Sequence, residues 1–255
     1  DLIDPSLKIH TEKLKDAGIE ENITFFLEDF QGDLYLNKYY QSNSNWTEEK
    51  NSILVKSVGH SESDKEYIRD IFKKLDAIID LDFQEMYHNR GSQIDIYSAS
   101  SSSSFNGSTV GQIITQETQD GGWFDIIWKD NIDNLETSSL EKNTLIHELG
   151  HAFGLSHPQN DPRNINWTTE DTIMSYNMPI NGWSTWFSEL DILALKSMWG
   201  RENDNGTLIL RDKFRDYNFS KTNDNQYFVD TLINIENITD LELISFEDQQ
   251  INIED

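Results

Sequence analysis

The chain has 255 residues, which is enough for one large domain or for a domain with a small appendage. Acidic residues outnumber basic ones by 46 to 20, and the net charge of −26 argues against nucleic acid and anionic membranes as partners. Cysteine is absent, which excludes disulfides, thiolate metal sites and a cysteine nucleophile, and no apolar run reaches the roughly 18 residues of a membrane span.

The first part of the chain, residues 1–50, is polar and lacks strong periodicity. We expect it to form an N-terminal arm or a pro-region-like segment. The next 80 or so residues contain five short β-prone runs, which predict the strands of one sheet between about 52 and 129. These runs are SILVKSV, LDFQEM, QIDIYS, VGQIITQ and WFDIIW. A serine run at 100–104 is polar and of low complexity, which is typical of a mobile loop.

Three helices are predicted from apolar periodicity and terminal signals, at about 64–79, 139–153 and 189–199. The first has capping-box spacing between Ser63 and Glu66, and the second between Ser138 and Glu141. Gly200 is expected to end the third helix.

The C-terminal part, residues 201–255, has short β-prone runs separated by Asn, Asp and Gly, which predict a small β-rich unit. The expected architecture is therefore α+β, with an arm at 1–50, a main domain at 51–200 and this β-rich extension. The chain has no G-G-x-G-x-D nonapeptide, so a calcium β-roll is not supported, and no other motif supports Ca²⁺ as a cofactor.

The segment HELGHAFGLSHP, residues 147–158, holds three of the six histidines of the chain. His147 and His151 are four residues apart on the predicted helix, so both imidazoles project from one face. His157 can reach the same ion only if the helix stops and the chain turns back. Gly154 provides that stop, because glycine accepts the left-handed conformation that ends helices. The spacing predicts one Zn²⁺ per chain on three imidazoles, with a fourth position open for catalysis.

Glu148 follows the first of these histidines and points close to the metal side of the helix. From there its carboxylate can reach a water on the zinc without binding the metal itself, which suits a general base. A lone H-E-x-x-H is frequently a surface salt-bridge pattern. The full five-position pattern, however, arises by chance in on the order of 10⁻⁵ of sequences with this composition, which favours a functional site.

The pattern His-Glu-x-x-His-x-x-Gly-x-x-His resembles the zinc signature of the metzincin metallopeptidases. These enzymes also carry a methionine turn beneath the metal, and the segment TIMSY offers Met174 and Tyr176. Met-Ser-Tyr, His157-Pro158 and ELDILALKSMWG are similar to the serralysin branch, while tyrosine at this place is also found in astacins. The resemblance covers about residues 50–200 and is strongest over 147–176.

This resemblance implies a zincin-like catalytic domain with a twisted mixed five-stranded sheet and an active-site helix. It implies a zinc-dependent endopeptidase that cleaves polypeptide substrates, with Met174 as an apolar floor and Tyr176 as a donor to the oxyanion. The strand GQIITQE is expected at the upper rim of the cleft, and Trp183 and Trp186 are expected to shape a substrate pocket. We expect a secreted or extracellular protein, its leader not present in this chain, and favour a monomer.

Two alternatives stay open at this point. The protein could be a binding or adhesion module whose zinc site is structural or vestigial, although all five motif positions are intact. It could also be a latent precursor, because FQGD at 30–33 resembles the astacin pro-region motif in which an aspartate, here Asp33, caps the zinc. Gly-Asp is common turn chemistry, so a simple turn is the favoured interpretation of FQGD.

Overall fold

The computed structural model describes most of the chain up to residue 202 and six short segments beyond it. The described ranges are 2–17, 22–42, 45–118, 121–130, 137–202, 207–209, 214–221, 227–230, 235–237, 243–245 and 248–252. Within these ranges the fold is α+β, with four α-helices: α1 (Pro5–Ala17), α2 (Glu62–Asp76), α3 (Ser139–Ala152) and α4 (Glu189–Trp199). None of the helices in the described ranges is long and apolar enough to cross a membrane.

A mixed sheet of seven strands forms the centre of the described fold. Its strands are β1 (Ile23–Leu27), β2 (Gly32–Ser42), β3 (Asn45–Ser57), β4 (Phe83–Met86), β5 (Ile94–Ser102), β6 (Gly111–Thr118) and β7 (Gly121–Lys129). Strands β4, β1, β5 and β7 are neighbours in that order and run parallel, and β6 is antiparallel to β7. The β2–β3 hairpin joins the sheet through the C-terminal half of β5, which pairs with β3.

The expected five-stranded sheet is therefore wrong in its number of strands, because two more come from residues 1–50. Strand β1 lies inside the sheet, with Ile23 opposite Phe83 and Phe25 opposite Ile94. Its burial alternates along ITFFL, as expected for a strand that packs one face into a core. Residues 1–50 therefore form more than an N-terminal arm, because they contribute strands β1 and β2 to the sheet. Removing residues 1–50 would take a central strand out of the sheet.

The two faces of the sheet are covered by different elements. On one face the apolar side chains of β1, β5 and β7 pack with α2, α3 and α4 into the main core, which includes Ile94, Phe124, Ile68, Leu149 and Leu195. On the other face a smaller cluster of Val55, Tyr97, Ala99, Ile114 and Ile127 is covered by side chains of the β2–β3 hairpin. The alternation of side chains along β5 and β7 produces this division.

The helix boundaries agree with the sequence except in α2, which runs from Glu62 to Asp76 and not over about 64–79. Its capping box is formed by Ser61 and Asp64, two residues earlier than the predicted pair Ser63 and Glu66. The predicted capping box of α3 is confirmed, and α4 ends at Gly200, whose φ is 83°. The serine run is not wholly a loop, since β5 extends through Ser102.

Short strands also occur in the described segments after residue 206. One three-stranded sheet contains β8 (Thr207–Ile209), β12 (Leu243–Ser245) and β13 (Gln250–Asn252), and another contains β9 (Asn218–Lys221), β10 (Tyr227–Asp230) and β11 (Ile235–Asn237). The division of the chain at residues 50 and 200 into separate domains stays a prediction.

Candidate metal centre

Helix α3 holds the first two histidines in a fixed frame. Ser138 caps its N-terminus, because its hydroxyl accepts from the amide of Glu141 while the Glu141 carboxylate accepts from the amide of Ser138. Further along, Leu145 and Leu149 are buried in the main core. The helix packs against β6 and β7, so its histidine-bearing side is positioned relative to the edge of the sheet.

A tight turn after α3 brings the third histidine back to the first two. Gly154 has a φ of 92°, a left-handed conformation that side chains disfavour. A Cβ at this glycine would also lie 3.1 Å from the sulfur of Met198 and 3.3 Å from Cα of Lys8. The turn returns the chain so that one ligand nitrogen from each of His147, His151 and His157 lies within 4.8 Å of the others.

Backbone carbonyls orient two of the three imidazoles. Nδ1 of His147 lies 2.9 Å from the carbonyl oxygen of Ile173, and Nδ1 of His151 lies 2.8 Å from that of Leu155. A carbonyl only accepts hydrogen bonds, so each Nδ1 carries the proton and each Nε2 keeps its lone pair. Nε2 of His157 lies 3.3 Å from Nε2 of His147, so the ligand nitrogens converge.

Burial keeps these histidines neutral. It lowers the pKa of His147 well below the ordinary value, with repulsion from the two neighbouring rings adding to the effect. It also lowers the pKa of His151, to about 4, and that of His157. A neutral imidazole is the form that binds metals. Within the described residues, this buried group of three histidines could therefore hold a metal ion.

The methionine turn lies directly beneath the histidine helix. Met174 is fully buried, and a Cβ at Gly150 would lie 2.7 Å from its sulfur, so the close approach requires glycine between the two helical histidines. The preceding residue, Ile173, accepts the hydrogen bond from His147 and donates its amide to a carboxylate oxygen of Asp191 at 2.8 Å. Met174 is thus packed closely against α3 at Gly150, and its role as an apolar floor under a metal stays a prediction.

Asp191 is a supporting residue of this turn that sequence reasoning missed. It is fully buried at the N-terminus of α4 and accepts from the hydroxyl of Thr172 at 2.6 Å as well as from the Ile173 amide. It also completes the capping box of α4 with Ser188. That capping-box spacing was the available signal, but only the tertiary structure connects Asp191, through Ile173, to His147.

Tyr176 lies at the rim of the histidine group. Its ring centroid is 5.3 Å from that of His147 and 5.1 Å from that of His157. The guanidinium of Arg163 lies over the ring of Tyr176, 5.5 Å from the ring centroid. The side chain is 42% exposed, so its hydroxyl-bearing ring stands between the histidines and solvent.

Glu148 is buried between α3 and strand β6. Burial raises its pKa to about 8, and a hydrogen bond from the amide of Ile113 opposes that rise. A Cβ at Gly111 would lie 2.7 Å from the Glu148 carboxylate and 2.5 Å from Cγ2 of Thr144. Glycine at position 111 therefore allows the edge strand to approach the carboxylate closely. A cation held by the adjacent histidines would favour the ionised form of Glu148.

A cavity of about 390 Å³ opens between the start of β6 and helix α3. Its lining includes the first ligand, the buried carboxylate and the rim tyrosine, together with a cation and a tryptophan: His147, Glu148, Tyr176, Arg163 and Trp183. Trp186, which was also expected to shape this pocket, packs instead against Phe187 and the main core. The residues Ser108 to Gly111 form the wall contributed by the predicted rim strand and the loop before it.

Asp33 of the FQGD motif lies away from this group. It is an exposed residue of β2, paired in register with Lys56, and the metal-competent group found among the described residues contains only the three histidines. Gly32 and Asp33, the last two residues of the motif, are the first two residues of strand β2, so the motif does not form the simple turn that the sequence favoured.

The chain matches no protein-family model and no curated protein sequence. The chemistry of the site must therefore be inferred from its own geometry. It combines three neutral nitrogen donors, a buried carboxylate and a half-exposed phenol beside one cavity.

Proposed function

We propose that this protein is a zinc-dependent endopeptidase of the metzincin type. The observation that carries the proposal is the convergence of His147, His151 and His157 next to a cavity lined by Glu148 and Tyr176. The strand order β4-β1-β5-β7-β6, with only β6 antiparallel, supports a zincin-like fold, because it forms a mixed five-stranded unit against the histidine-bearing helix. The β2–β3 hairpin is an addition to that unit.

Zinc fits the donor set of this site best. Hydrolytic zinc centres use three protein ligands and keep one position open, and neutral imidazole is a preferred ligand for this ion. The backbone acceptors of His147 and His151 orient both rings with Nε2 available, which is the usual supporting arrangement for metal-binding histidines. When bound, zinc supplies Lewis acidity towards a carbonyl oxygen and lowers the pKa of water.

Glu148 is proposed as the general base. It lies one residue after a ligand and lines the cavity, but it does not belong to the histidine group itself. Its carboxylate accepts the proton of the attacking water and then returns it to the leaving amine. The hydrogen bond from the Ile113 amide and the close contact at Gly111 hold the carboxylate in one place, which is what efficient proton transfer requires.

Tyr176 is proposed as the donor to the developing oxyanion. Its ring packs at a tilt beside His147 and edge-on beside His157, and its partial exposure leaves room for the hydroxyl to turn towards a bound substrate. A phenol is a suitable hydrogen-bond donor to the negative charge that forms on the carbonyl oxygen.

Strand β6 is proposed to bind the substrate backbone. In the described residues it pairs with β7 along one edge, and its first residue, Gly111, lies in the wall of the cavity. An extended peptide can add to such an edge through main-chain hydrogen bonds, which leaves selectivity to side-chain pockets. Trp183 and Arg163 are the large apolar and cationic side chains in that lining.

The proposal is tested by hydrolysis of quenched fluorescent casein with protein that has first been stripped of metal. We expect activity to appear with one equivalent of zinc per chain and to disappear with a chelator. Elemental analysis measures the zinc content in parallel. Full zinc occupancy without any hydrolysis of casein or of a peptide library would instead support a zinc-containing binding or adhesion module.

A further inference from the structure

We propose that residues 2–11, here called the N-terminal clasp, are a positioning element for the metal ligands. The clasp holds the turn that follows α3, and through that turn it sets the ring of His151 and the position of His157. The inference rests on the proposed metal site, but its test reads histidine geometry and metal affinity and does not depend on peptide hydrolysis.

The first part of the clasp pairs with the turn as a short antiparallel bridge. Ile3 lies opposite Leu155. On one side of this pair the amide of Asp4 donates to the carbonyl of Gly154 at 2.8 Å, and on the other the amide of Ser156 donates to the carbonyl of Leu2 at 2.8 Å. The backbone between the second and third histidines is therefore held by two hydrogen bonds from residues more than 140 positions away.

The second part of the clasp closes the C-terminal end of α3. Thr11 is buried, and its hydroxyl donates to the carbonyl of Ala152 at 2.5 Å. The next carbonyl, that of Phe153, accepts from the indole of Trp199 at 2.9 Å. The last carbonyls of a helix have no partner within the helix, so these contacts supply the partners that water would otherwise provide.

The turn that the clasp holds also carries the group that orients a ligand. The carbonyl of Leu155 accepts the Nδ1–H of His151 at 2.8 Å, and Leu155 is the residue bridged by Ile3. Ser156, fixed by Leu2, directly precedes His157. The partner of the outer nitrogen of a ligand histidine sets its tautomer and ring orientation, and losing such a partner typically costs about 10–100-fold in metal affinity.

The first part of the clasp, residues 2–4, can be separated from the main apolar core. Residues 2–4 contribute no side chain to the main apolar cluster, whereas α1 contributes Leu14. A chain that starts at Pro5 therefore loses both backbone hydrogen bonds to the turn, and it also loses the cap that the Asp4 carboxylate forms on the amides of Ser6 and Leu7, but it keeps the core contact of α1 through Leu14. Such a chain distinguishes an effect on the ligands from an effect on the fold.

The experiment compares the full chain with a chain that starts at Pro5. Zinc affinity is measured by competition with a chromophoric chelator, and the geometry of the site by the visible spectrum of the cobalt-substituted protein. We expect zinc to bind about 10–100-fold more weakly to the shortened chain, with a changed cobalt spectrum, while thermal unfolding of the metal-free protein changes little. Unchanged affinity and an unchanged spectrum would overturn the proposal.

Two further variants keep the test decisive if the shortened chain does not fold. Thr11→Val removes the hydroxyl bonded to Ala152 at nearly constant volume and should weaken zinc binding, by less than the truncation. Ile9→Ala changes an exposed residue of the same helix, 51% accessible, and should leave zinc affinity as it is. Equal zinc affinity for Thr11→Val and Ile9→Ala would contradict the role of the clasp at the helix end.

A readout without metal separates this inference from the proposed function. In the metal-free full chain, ¹⁵N NMR of the imidazoles should show His151 as the Nδ1–H tautomer, because of its bond to Leu155. In the shortened chain we expect a mixture of tautomers. If the full chain binds no zinc, the proposed function fails, and the His151 tautomer still decides whether the clasp positions the ring.

Discussion

Two buried clusters of ionisable side chains lie on opposite faces of the same sheet. One is the histidine group on the helix side. The other is the pair Asp95 and Asp125, neighbours in register on β5 and β7, in a cavity of about 600 Å³. Both aspartates point away from the main core, since their neighbours along the strands, such as Ile94 and Phe124, face the helices.

The two clusters differ in what satisfies their polar atoms. The outer nitrogens of His147 and His151 are bonded to carbonyls, and their inner nitrogens converge with that of His157. Asp125 is instead saturated by its own surroundings, accepting from Gln116 at 2.6 Å and Trp123 at 3.0 Å.

Burial disfavours the charged form of the side chains in both clusters, with different chemical results. It lowers the pKa of the histidines, and a neutral imidazole is a metal ligand. It raises the pKa of Asp95 to about 8 and that of Asp125 to about 6, so at neutral pH the Asp95 carboxyl is protonated, and a protonated carboxyl is a poor ligand. Of the two clusters, the histidine group is the one whose lone pairs converge, as the binding of a metal ion requires.

The largest expected effect comes from removing one of the three ligands. His157→Ala leaves two imidazoles, and we expect it to lower zinc occupancy and to abolish hydrolysis. The control is His88→Ala, which removes an exposed histidine outside the group. Elemental analysis after dialysis measures the zinc content of both proteins. Full zinc content in the His157→Ala protein would remove this residue from the ligand set.

The next effect separates chemistry from metal binding. Glu148→Gln keeps the size of the side chain and removes the basic carboxylate, so zinc content should stay near that of the parent. Hydrolysis should fall by about 10²–10⁴-fold, or about 3–5 kcal/mol of barrier, which is typical for a lost general base. The exposed Glu66→Gln serves as a matched control. A Glu148→Gln protein that retains most of its peptidase activity would show that another residue activates the water.

A smaller loss is expected at the rim of the group. Tyr176→Phe removes the hydroxyl and keeps the ring that packs beside His147 and His157. We expect kcat to fall by about 10²–10³-fold, as for one lost oxyanion donor, with little change in KM or zinc content. Tyr87→Phe, at a fully exposed tyrosine, is the comparison. A loss confined to KM would assign Tyr176 to substrate binding alone.

The smallest expected effect concerns the pair Asp95 and Asp125. It changes the stability of the protein and not its activity. The pKa of Asp95 is raised from 3.8 to about 8, first by burial and then by the nearby charges of Asp125 and Glu28. Between these two pH values the unfolded chain has released a proton that the folded chain still binds, so this residue lowers the free energy of unfolding as pH rises from about 4 to 8. The penalty is absent below that window.

Asp95→Asn removes this penalty. We expect the variant to be more stable than the parent at pH 8, by on the order of a few kcal/mol, and to lose that advantage near pH 4. Urea unfolding at several pH values measures the difference, and Asp82→Asn provides an exposed control. Casein hydrolysis should not change. The same dependence of stability on pH in parent and variant would mean that Asp95 is ionised in the folded protein.

The grouping of the three histidines was predictable because these residues are close in sequence. His147 and His151 share one helix face, and Gly154 reverses the chain within three further residues, so local signals were enough to predict that His157 returns towards them. The helices predicted at about 139–153 and 189–199 were also confirmed as α3 and α4, since apolar periodicity and capping boxes are local signals. The identity of zinc and the peptidase activity stay predictions.

The partners of these local elements were decided by the tertiary structure. Strand β1 is five residues long, and nothing in ITFFL indicates that it pairs with β4 and β5 some 60 to 70 residues later. The same holds for the bridge between Ile3 and Leu155 and for the carboxylate of Asp191 beneath the methionine turn. Helix spacing determines which side chains share a face, because the backbone repeats regularly within the element. Contacts between distant segments depend on how those elements pack, so the sequence alone could predict the group of three histidines but not the residues that hold it in place.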